Sequence, residues 1–246
     1  MTDTPADDLE PGFRSDVTVE LVKHTASDAD VLFAARVSTV GEQSLEELNK
    51  DPERSKGLIN YLMRDRHGSP FEHNSMTFFV SAPIFVFREF MRHRVGWSYN
   101  EESGRYRELQ PVFYIPGEDR KLVQQGRPGK YVFVDGTPEQ YKAVTETMAE
   151  SYRRSYAAYQ EMLAAGVARE VARATLPVGL FSSMYATCNA RSLMHFLGLR
   201  TQHELAKVPS FPQREIEMVG EKMEAEWARL MPLTYAAFNA NGRVAP

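Results

Sequence analysis

Residues 92–106 read RHRVGWSYNEESGRY and concentrate many hydrogen-bond donors in one short segment. Its basic and imidazole side chains are Arg92, His93, Arg94 and Arg105. A guanidinium group is planar, keeps its charge at working pH and matches the oxygens of phosphate or carboxylate groups. Gly104, after Ser103, allows backbone N–H groups to approach an oxyanion closely, because glycine has no side chain. The segment therefore predicts a site for an anionic, phosphate-bearing ligand.

A solvated basic loop with internal ion pairs is the alternative interpretation of this segment. The preceding residues argue against it. Residues 82–87, APIFVF, are apolar and predict the beginning of a helix with Pro83 in its first turn. On that helix Glu89, Arg92 and His93 would lie three and four positions apart and share one face. We therefore expect a rigid element to hold the basic cluster and to continue into a loop.

The composition is that of an ordinary globular protein. Of its 246 residues, 43% are hydrophobic and 25% are charged. We expect residues 1–16, which are polar and acidic, to form a flexible arm and residues 17–246 to form one domain. The net charge of −4 argues against a general nucleic-acid-binding protein. Neither a membrane-spanning apolar run nor a secretory signal is evident, so we expect a cytoplasmic protein without a membrane partner.

Hydrophobic periodicity predicts a mixture of strands and helices. Strands are expected at residues 17–21, 76–82, 111–115 and 184–188. Helices are expected at residues 27–38, 52–66, 167–175 and 213–230, and also from residues 137 and 189 onward. Gly68 would stop the helix at residues 52–66, and Thr137 would cap the helix that has Pro138 in its first turn. Exposed loops are expected at residues 117–136 and 201–212. The long helix after Pro138 and the helix at residues 213–230 each carry an apolar stripe, which is typical of a core or subunit-interface face.

Two other features were candidates for chemistry. His67, Glu72 and His73 lie close in sequence, but their spacing matches no zinc signature, and we expect no metal. A turn whose side chains satisfy one another is the plainer interpretation. Cys188 is the single cysteine, which excludes an intramolecular disulfide framework. Because it ends a predicted buried strand, we expect it to be a small core residue.

The 92–106 segment also resembles the signature of the flavin-dependent thymidylate synthases, the ThyX family. In that signature RHR is followed by seven residues and a serine, whereas the eight residues 95–102 separate Arg94 from Ser103 here. Residues 98–106, SYNEESGRY, fit the signature well when they are aligned from the serine. The resemblance extends from about Val17 to the last predicted helix. It implies an α/β (α+β) fold, a single domain with a central, mostly antiparallel sheet flanked by helices.

The resemblance implies the reductive methylation of dUMP to dTMP. The carbon donor would be 5,10-methylenetetrahydrofolate, and NADPH would supply the hydride through bound FAD, with release of tetrahydrofolate. C5 of uracil is a poor nucleophile, so one known route adds a cysteine to C6, whereas the other polarises the ring without a protein nucleophile. Only the second route suits a chain whose one cysteine ends a strand. The family also implies a homotetramer with active sites shared between subunits.

The matched positions imply individual roles. Arg200 would lie against the uracil as the catalytic cation, stabilising negative charge on the ring. The residues implied for dUMP are Glu89, Arg92, Glu101, Ser103, Gly104, Arg105, Arg173 and Arg200. The residues implied for FAD are His67, Ser69, Glu72, Arg92, His93, Arg94, Asn100, Glu101, Asn189, Arg191 and His195.

A nucleotide- or RNA-binding module without redox chemistry is the alternative from another class. It would use the same arginines, with Trp97, Tyr99 and Tyr106 as stacking surfaces. The net negative charge disfavours it. A sample that lacks flavin absorbance and cannot be reconstituted with FAD would favour it. A third possibility is another flavoprotein or nucleotide enzyme that uses the same site.

Overall fold

The structure is a computed structural model that describes residues 10–41, 51–127 and 130–246. The strands are β1 (Gly12–Arg14), β2 (Thr18–His24), β3 (Met76–Pro83), β4 (Trp97–Glu101), β5 (Val112–Tyr114), β6 (Val123–Arg127), β7 (Lys130–Val134) and β8 (Phe181–Cys188). The helices are α1 (Asp28–Val40), α2 (Pro52–Arg64), α3 (Ile84–Phe90), α4 (Pro138–Ala164), α5 (Arg169–Ala172), α6 (Ala190–Arg200), α7 (Arg214–Leu230) and α8 (Pro232–Ala240). Short 3-10 helices lie at Ser69–Glu72 and Arg173–Thr175. Among the helices of the described ranges, none is long and apolar enough to cross a lipid bilayer.

The strands form three sheets among the described residues. Four strands lie in the order β2-β3-β8-β4, β1 pairs with β5 in parallel, and β6 pairs with β7 as an antiparallel hairpin. The chain divides into two compact units. The first unit contains residues 10–16, Ser81–Arg88 and Glu101–Ser183; the second contains Val17–Val80, Glu89–Asn100 and Met184–Pro246.

The first unit is organised by the long helix α4. Thr137 and Gln140 form a reciprocal capping box at its beginning, and Pro138 occupies the first turn, as the sequence predicted. The buried face of α4 carries Tyr152, Tyr156 and Tyr159, and Phe113 of β5 stacks on Tyr152 at 4.8 Å between ring centroids. This aromatic cluster is the core of the first unit.

Part of the expected flexible arm is an ordered strand. Gly12, Phe13 and Arg14 form β1 in register with Val112, Phe113 and Tyr114 of β5. Because β1 supplies backbone partners to β5, these residues belong to the fold of the first unit. Residues 1–9 of the expected arm lie outside the described residues.

The second unit buries the apolar stripe of α7. Ile216, Val219, Met223 and Trp227 are each 0% exposed, and α7 packs against β2, α6 and α8 of the same chain. The stripe was expected to be a packing face, either internal or at a subunit interface. It is internal, so it gives no argument for a second subunit.

The helix that precedes the RHR triplet is shorter than predicted. Pro83 ends β3, and α3 runs only from Ile84 to Phe90. The Tyr99 hydroxyl lies 3.1 Å from the Phe90 carbonyl oxygen and 2.7 Å from that of His93. The Phe90 carbonyl also accepts from the His93 N–H at 3.0 Å, and the Glu89 carbonyl from the Arg92 N–H at 3.3 Å, so the chain leaves α3 through hydrogen bonds between residues three apart. The prediction that Glu89, Arg92 and His93 share a helical face was therefore wrong, since Arg92 and His93 lie in the following turn.

Besides β1, the sequence left β4, the β6–β7 hairpin and α8 unpredicted. Residues 117–136, expected to be an exposed loop, contain the β6–β7 hairpin. A further helix, α8, follows α7, and its beginning is fixed by Asp28 of α1. The Asp28 carboxylate accepts hydrogen bonds from the backbone N–H groups of Leu233 and Thr234, each at 2.9 Å. A partner roughly 200 residues away leaves no local signal for such a cap.

Candidate active site

A cavity of about 430 Å³ lies in the second unit. Its walls come from the 3-10 helix at Ser69–Glu72, the turn that carries the RHR triplet, and the first two turns of α6. The lining residues that the sequence had singled out are Glu72, His93, Arg94, Asn189, Arg191 and His195. Trp97 had been considered only as a stacking surface of the alternative binding module, and Val95, Gly96 and Ser192 had been given no role. The structure thus brings together residues from three separate parts of the chain.

The beginning of α6 is fixed by two asparagines. Asn189 is the N-cap, and its side-chain oxygen accepts from the Ser192 N–H at 2.9 Å. Asn74, which is buried, accepts from the Ala190 N–H at 2.8 Å. Together they satisfy two of the free N–H groups at the helix beginning. Arg191 and His195, one turn apart, therefore both face the cavity.

Arg191 is held on both sides of its guanidinium group. Nη1 forms an ion pair with Glu72, and Nε donates to the carbonyl oxygen of Pro246 at 2.6 Å. A Cβ atom at Gly68 would come within 2.5 Å of the guanidinium carbon of Arg191. Any side chain at position 68 would therefore displace Arg191, which explains a glycine here better than the helix stop that we expected.

The RHR turn sits directly on α6. Gly96 has a φ of 69°, and a Cβ atom there would lie 2.1 Å from the Ser192 hydroxyl oxygen. The Ser192 hydroxyl donates to the Val95 carbonyl at 2.9 Å. Only glycine permits this conformation and this close approach. The turn and α6 consequently form one rigid wall of the cavity.

Arg200, at the end of α6, is gripped by two of the predicted site residues. Its Nη1 forms an ion pair with Glu89, and its Nε donates to Nε2 of His93 at 3.1 Å. Burial, followed by the charge of Arg200 and the proximity of His195, lowers the pKa of His93 to about 4. His93 is therefore neutral at physiological pH, with Nε2 as the acceptor and the proton on Nδ1.

An aromatic cluster packs against His93. Phe90 stacks on Phe196 at 4.7 Å, and Trp97 stacks on Tyr99 at 5.7 Å. The edge of the His93 ring packs against Phe196 at 4.9 Å. Burial also raises the pKa of Tyr99, so its hydroxyl stays protonated and can donate to the backbone of the RHR turn. The cluster fixes the orientation of the His93 ring.

The other predicted nucleotide residues form a group in the first unit. Gly104 is buried, and a Cβ atom there would lie 2.8 Å from Leu109 and 3.2 Å from the Arg173 side chain. The Arg105 N–H donates to the Ser103 hydroxyl oxygen at 3.3 Å, and Arg105 Nε pairs with Glu170 at 2.8 Å. This group therefore places two arginines and a serine around a glycine without a side chain.

Glu101 belongs to the same group. Its carboxylate accepts from the Ser182 hydroxyl at 2.8 Å. Burial raises the pKa of Glu101, and the Ser182 hydrogen bond opposes that shift; the Glu102 charge adds to it and Arg173 opposes it.

Several predicted FAD residues lie outside the cavity lining. His67, Ser69, Arg92 and Asn100 are exposed, and His67 stacks on Tyr61 at 5.5 Å between ring centroids. Glu101 belongs to the first unit. In the part of the chain that the structure describes, no group of three or more His, Cys, Asp or Glu side chains is arranged to hold a metal ion.

Comparison with known proteins assigns the chain to a class. Residues 20–233 match the Thy1 family, described as thymidylate synthase complementing protein, and the chain belongs to this family. It is 87% identical to the flavin-dependent thymidylate synthase of Streptomyces avermitilis, with 100% of both chains covered. It is 58% identical to the enzyme of that name from Tropheryma whipplei strain TW08/27, with 97% of this chain and 98% of the relative covered.

Solved structures agree with this assignment. The UMP/dUMP methylase PolB from Streptomyces cacaoi, bound with 5-Br dUMP, has a TM-score of 0.90 at 55% identity. The same protein bound with 5-Br UMP has a TM-score of 0.89 at 54% identity. Each comparison covers 96% of this chain and 100% of the other. The predicted family is confirmed, and so is the predicted fold, a mixture of helices and strands with an antiparallel sheet flanked by helices.

Proposed function

We propose that this chain is a flavin-dependent thymidylate synthase that converts dUMP to dTMP. The observation that carries the proposal is that Arg200 is held by an ion pair with Glu89 and a hydrogen bond to His93. A guanidinium group held in this way is a fixed cation of the kind that stabilises charge developing on a substrate. The Arg200 side chain is still 21% exposed, so it remains accessible to a ligand. The relatives named above support the choice of reaction.

The cavity in the second unit fits FAD by the donors and apolar side chains that line it. Arg94 and Arg191 provide cationic groups that suit the phosphates of a dinucleotide. Trp97 and Val95 add apolar surface, which suits a flat ring system. Bound FAD would supply the hydride that reduces the transferred carbon. The residues proposed to hold it from the cavity are Glu72, His93, Arg94, Asn189, Arg191 and His195.

The remaining FAD assignments rest on the family resemblance alone. They concern His67, Ser69, Arg92, Asn100 and Glu101.

Burial lowers the pKa of His195, and the charges of Arg191 and Arg66 lower it further. A neutral His195 both donates and accepts, so it suits the polar edge of a ring better than a phosphate.

The group in the first unit is proposed to bind the nucleotide phosphate. Arg105 and Arg173 would supply the charge, while Ser103 and the backbone at Gly104 would supply shorter-range hydrogen bonds. The Arg105–Glu170 pair is about half exposed on both sides, at 51% and 54%. Exposed pairs of this kind are weak, so a phosphate dianion can replace Glu170 as the partner of Arg105.

The proposed reaction divides the work between binding and electrostatics. Arg200 would stabilise negative charge on the N3–O4 side of the uracil ring, which makes C5 more nucleophilic. Neutral His93 and Glu89 would keep its planar group oriented. We also propose 5,10-methylenetetrahydrofolate and NADPH as co-substrates, and cytoplasmic location.

A homotetramer with shared active sites is proposed from the family resemblance. The internal burial of the α7 stripe removes one argument for it. Light scattering combined with activity measurements tests it directly. A stable monomer with full activity would contradict the proposal.

The decisive experiment is an anaerobic incubation with FAD, NADPH, dUMP and methylenetetrahydrofolate. We expect dTMP and tetrahydrofolate as products. A parallel incubation should replace dUMP by UMP, because the relative PolB was solved with 5-Br UMP as well as 5-Br dUMP. Methylation of UMP would make this chain active on both nucleotides. A chain that binds no FAD and forms no methylated product would favour the nucleotide-binding module.

A further inference from the structure

Residues 243–246 lie along helix α6 and contact it at three levels. Near the end of α6, Nη2 of Arg243 donates to the Thr201 hydroxyl oxygen at 3.2 Å. One turn earlier, at Gly198, the helix backbone lies so close to the Arg243 carbonyl oxygen that a Cβ atom there would be 3.4 Å from it. At the beginning, the Pro246 carbonyl oxygen accepts from Arg191 Nε at 2.6 Å. The 243–246 segment therefore runs antiparallel to the helix that carries Arg191, His195 and Arg200.

One end of the 243–246 segment is fixed by a buried ion pair. Arg243 binds Glu224 of α7 through both carboxylate oxygens, at 2.6 and 2.8 Å, and the two side chains are 1% and 11% exposed. Asn239 accepts a further hydrogen bond from Arg243 at 2.8 Å. A bidentate pair excluded from water has one favoured geometry, so Arg243 is a firm anchor.

The other end of the 243–246 segment reaches the cavity. Ala245 and Pro246 are buried, and the Ala245 carbonyl oxygen accepts from Arg66, two residues before Gly68. Pro246 and Glu72 accept hydrogen bonds from two different nitrogens of the Arg191 guanidinium group. A guanidinium held along two edges keeps its plane fixed, and its other N–H groups remain for a ligand in the cavity.

We propose that the 243–246 segment is a positioning element for the cofactor cavity, acting through the Pro246 carbonyl on the orientation of Arg191. The inference rests on the proposed binding of FAD. It assigns no catalytic role to the segment, since its contacts are with Arg191, Arg66 and α6 rather than with a reacting group. It predicts that loss of residues 245 and 246 weakens FAD binding only while Arg191 is present to be oriented.

The test is a double-mutant cycle on FAD affinity. Four proteins are compared by flavin fluorescence quenching after FAD removal: wild type, a deletion of residues 245–246, Arg191→Met, and the two changes combined. We expect the deletion to raise the Kd for FAD about tenfold in the wild-type background, as for the loss of a hydrogen bond to a charged group. In the Arg191→Met background we expect a change of less than about twofold, because coupled residues are not additive.

Asn241→Ala is the matched control. Asn241 lies beside the segment but binds Asn60 and the Ala237 carbonyl, not α6. It should lower the melting temperature without changing the Kd for FAD. If the two-residue deletion fails to fold by circular dichroism, deletion of Pro246 alone preserves the Arg66 contact and tests the same bond.

The outcomes separate this inference from the proposed function. Equal increases in Kd in both backgrounds, or no increase in either, would overturn the positioning role while leaving the proposed enzyme intact. A wild-type chain that binds no FAD would overturn both. A tenfold loss that disappears with Arg191→Met would support the inference.

Discussion

Arg200 and His93 are joined by a hydrogen bond of 3.1 Å in which the guanidinium donates and the imidazole accepts. Such a bond requires a neutral imidazole, since a protonated ring offers no acceptor. Burial and the neighbouring positive charge both disfavour protonation, which is why the pKa of His93 is lowered to about 4. Neutral His93 therefore orients the Arg200 guanidinium group without cancelling its positive charge.

This relationship predicts a pH dependence of stability. Between pH 6.5 and about 4 the unfolded chain binds a proton at His93 that the folded chain does not bind, so the free energy of unfolding falls as the pH falls through this window. His93→Gln keeps an acceptor but does not titrate, and should flatten that part of the profile. Urea unfolding of both proteins between pH 7 and pH 4 measures the difference. An unchanged slope would show that His93 titrates normally in the folded protein.

Removal of the Arg200 side chain should abolish most turnover and spare FAD binding. Arg200→Ala loses a stabilising donor, for which typical losses are about 10²–10³ in rate. Arg200→Lys should restore little, because an ammonium group cannot donate to Glu89 and His93 in the same plane. Rates of dTMP formation and FAD titrations give the two quantities. Near-normal turnover by Arg200→Ala would remove Arg200 from the mechanism.

Ser103 should act in binding and not as a nucleophile. The structure shows its hydroxyl oxygen accepting from the Arg105 N–H, which places it in the proposed phosphate group. Ser103→Ala should therefore raise the KM for dUMP several-fold and leave measurable kcat. Steady-state kinetics at varied dUMP supply both parameters. Complete inactivity with unchanged dUMP affinity would point to a covalent role instead.

Glu170 should compete with the nucleotide phosphate for Arg105. Glu170→Gln removes the competing charge and keeps the size of the side chain, so the KM for dUMP should fall by about twofold to fivefold. Glu150→Gln is the matched control, because Glu150 is a similarly exposed carboxylate that pairs with Arg154 at 2.6 Å and not with Arg105. A higher KM for the Glu170 variant would mean that this carboxylate positions Arg105 for the ligand.

Features of the site that depend on neighbouring residues could be predicted from the sequence, whereas the long-range contacts that hold them in place could not. The caps at Thr137 and Asn189, and the spacing of Arg191 and His195, depend on residues within a few positions and could be predicted. The end of α3 could not, because the turn that follows it is held partly by the Tyr99 hydroxyl, which donates to the Phe90 and His93 carbonyls from β4. Asn74 likewise acts on α6 from 116 residues away.

The position of Gly68 makes the same point. Gly68 was interpreted as a helix stop, yet Arg66, with a φ of 65°, is the residue that turns the chain after α2. Gly68 is instead required by the Arg191 side chain, more than 100 residues later. A glycine in a sequence indicates a need for space or for an unusual backbone conformation, but it does not identify the distant residue that packs against it.

Cys188 should be dispensable for chemistry. A cysteine nucleophile must be a thiolate in an accessible, electropositive setting. Cys188 ends β8, is 2% exposed, and burial raises the pKa of its thiol well above the ordinary value. Cys188→Ala should therefore retain FAD-dependent and NADPH-dependent dTMP synthesis, and should lower the free energy of unfolding by about 1 kcal/mol through loss of the buried sulfur.

The folate product provides the second arm of the same test. If the hydride comes from flavin, both the wild type and Cys188→Ala should release tetrahydrofolate, which chromatography separates from dihydrofolate. Thr187→Val, on the same strand, is a control for general damage to β8, since its hydroxyl contacts Thr77 and no proposed ligand residue. Two results would require a cysteine-dependent mechanism: a Cys188→Ala protein that binds FAD and dUMP but makes no dTMP, or a wild type that releases dihydrofolate. In such a mechanism the buried thiol would have to become exposed and ionised before it reached C6 of the uracil ring.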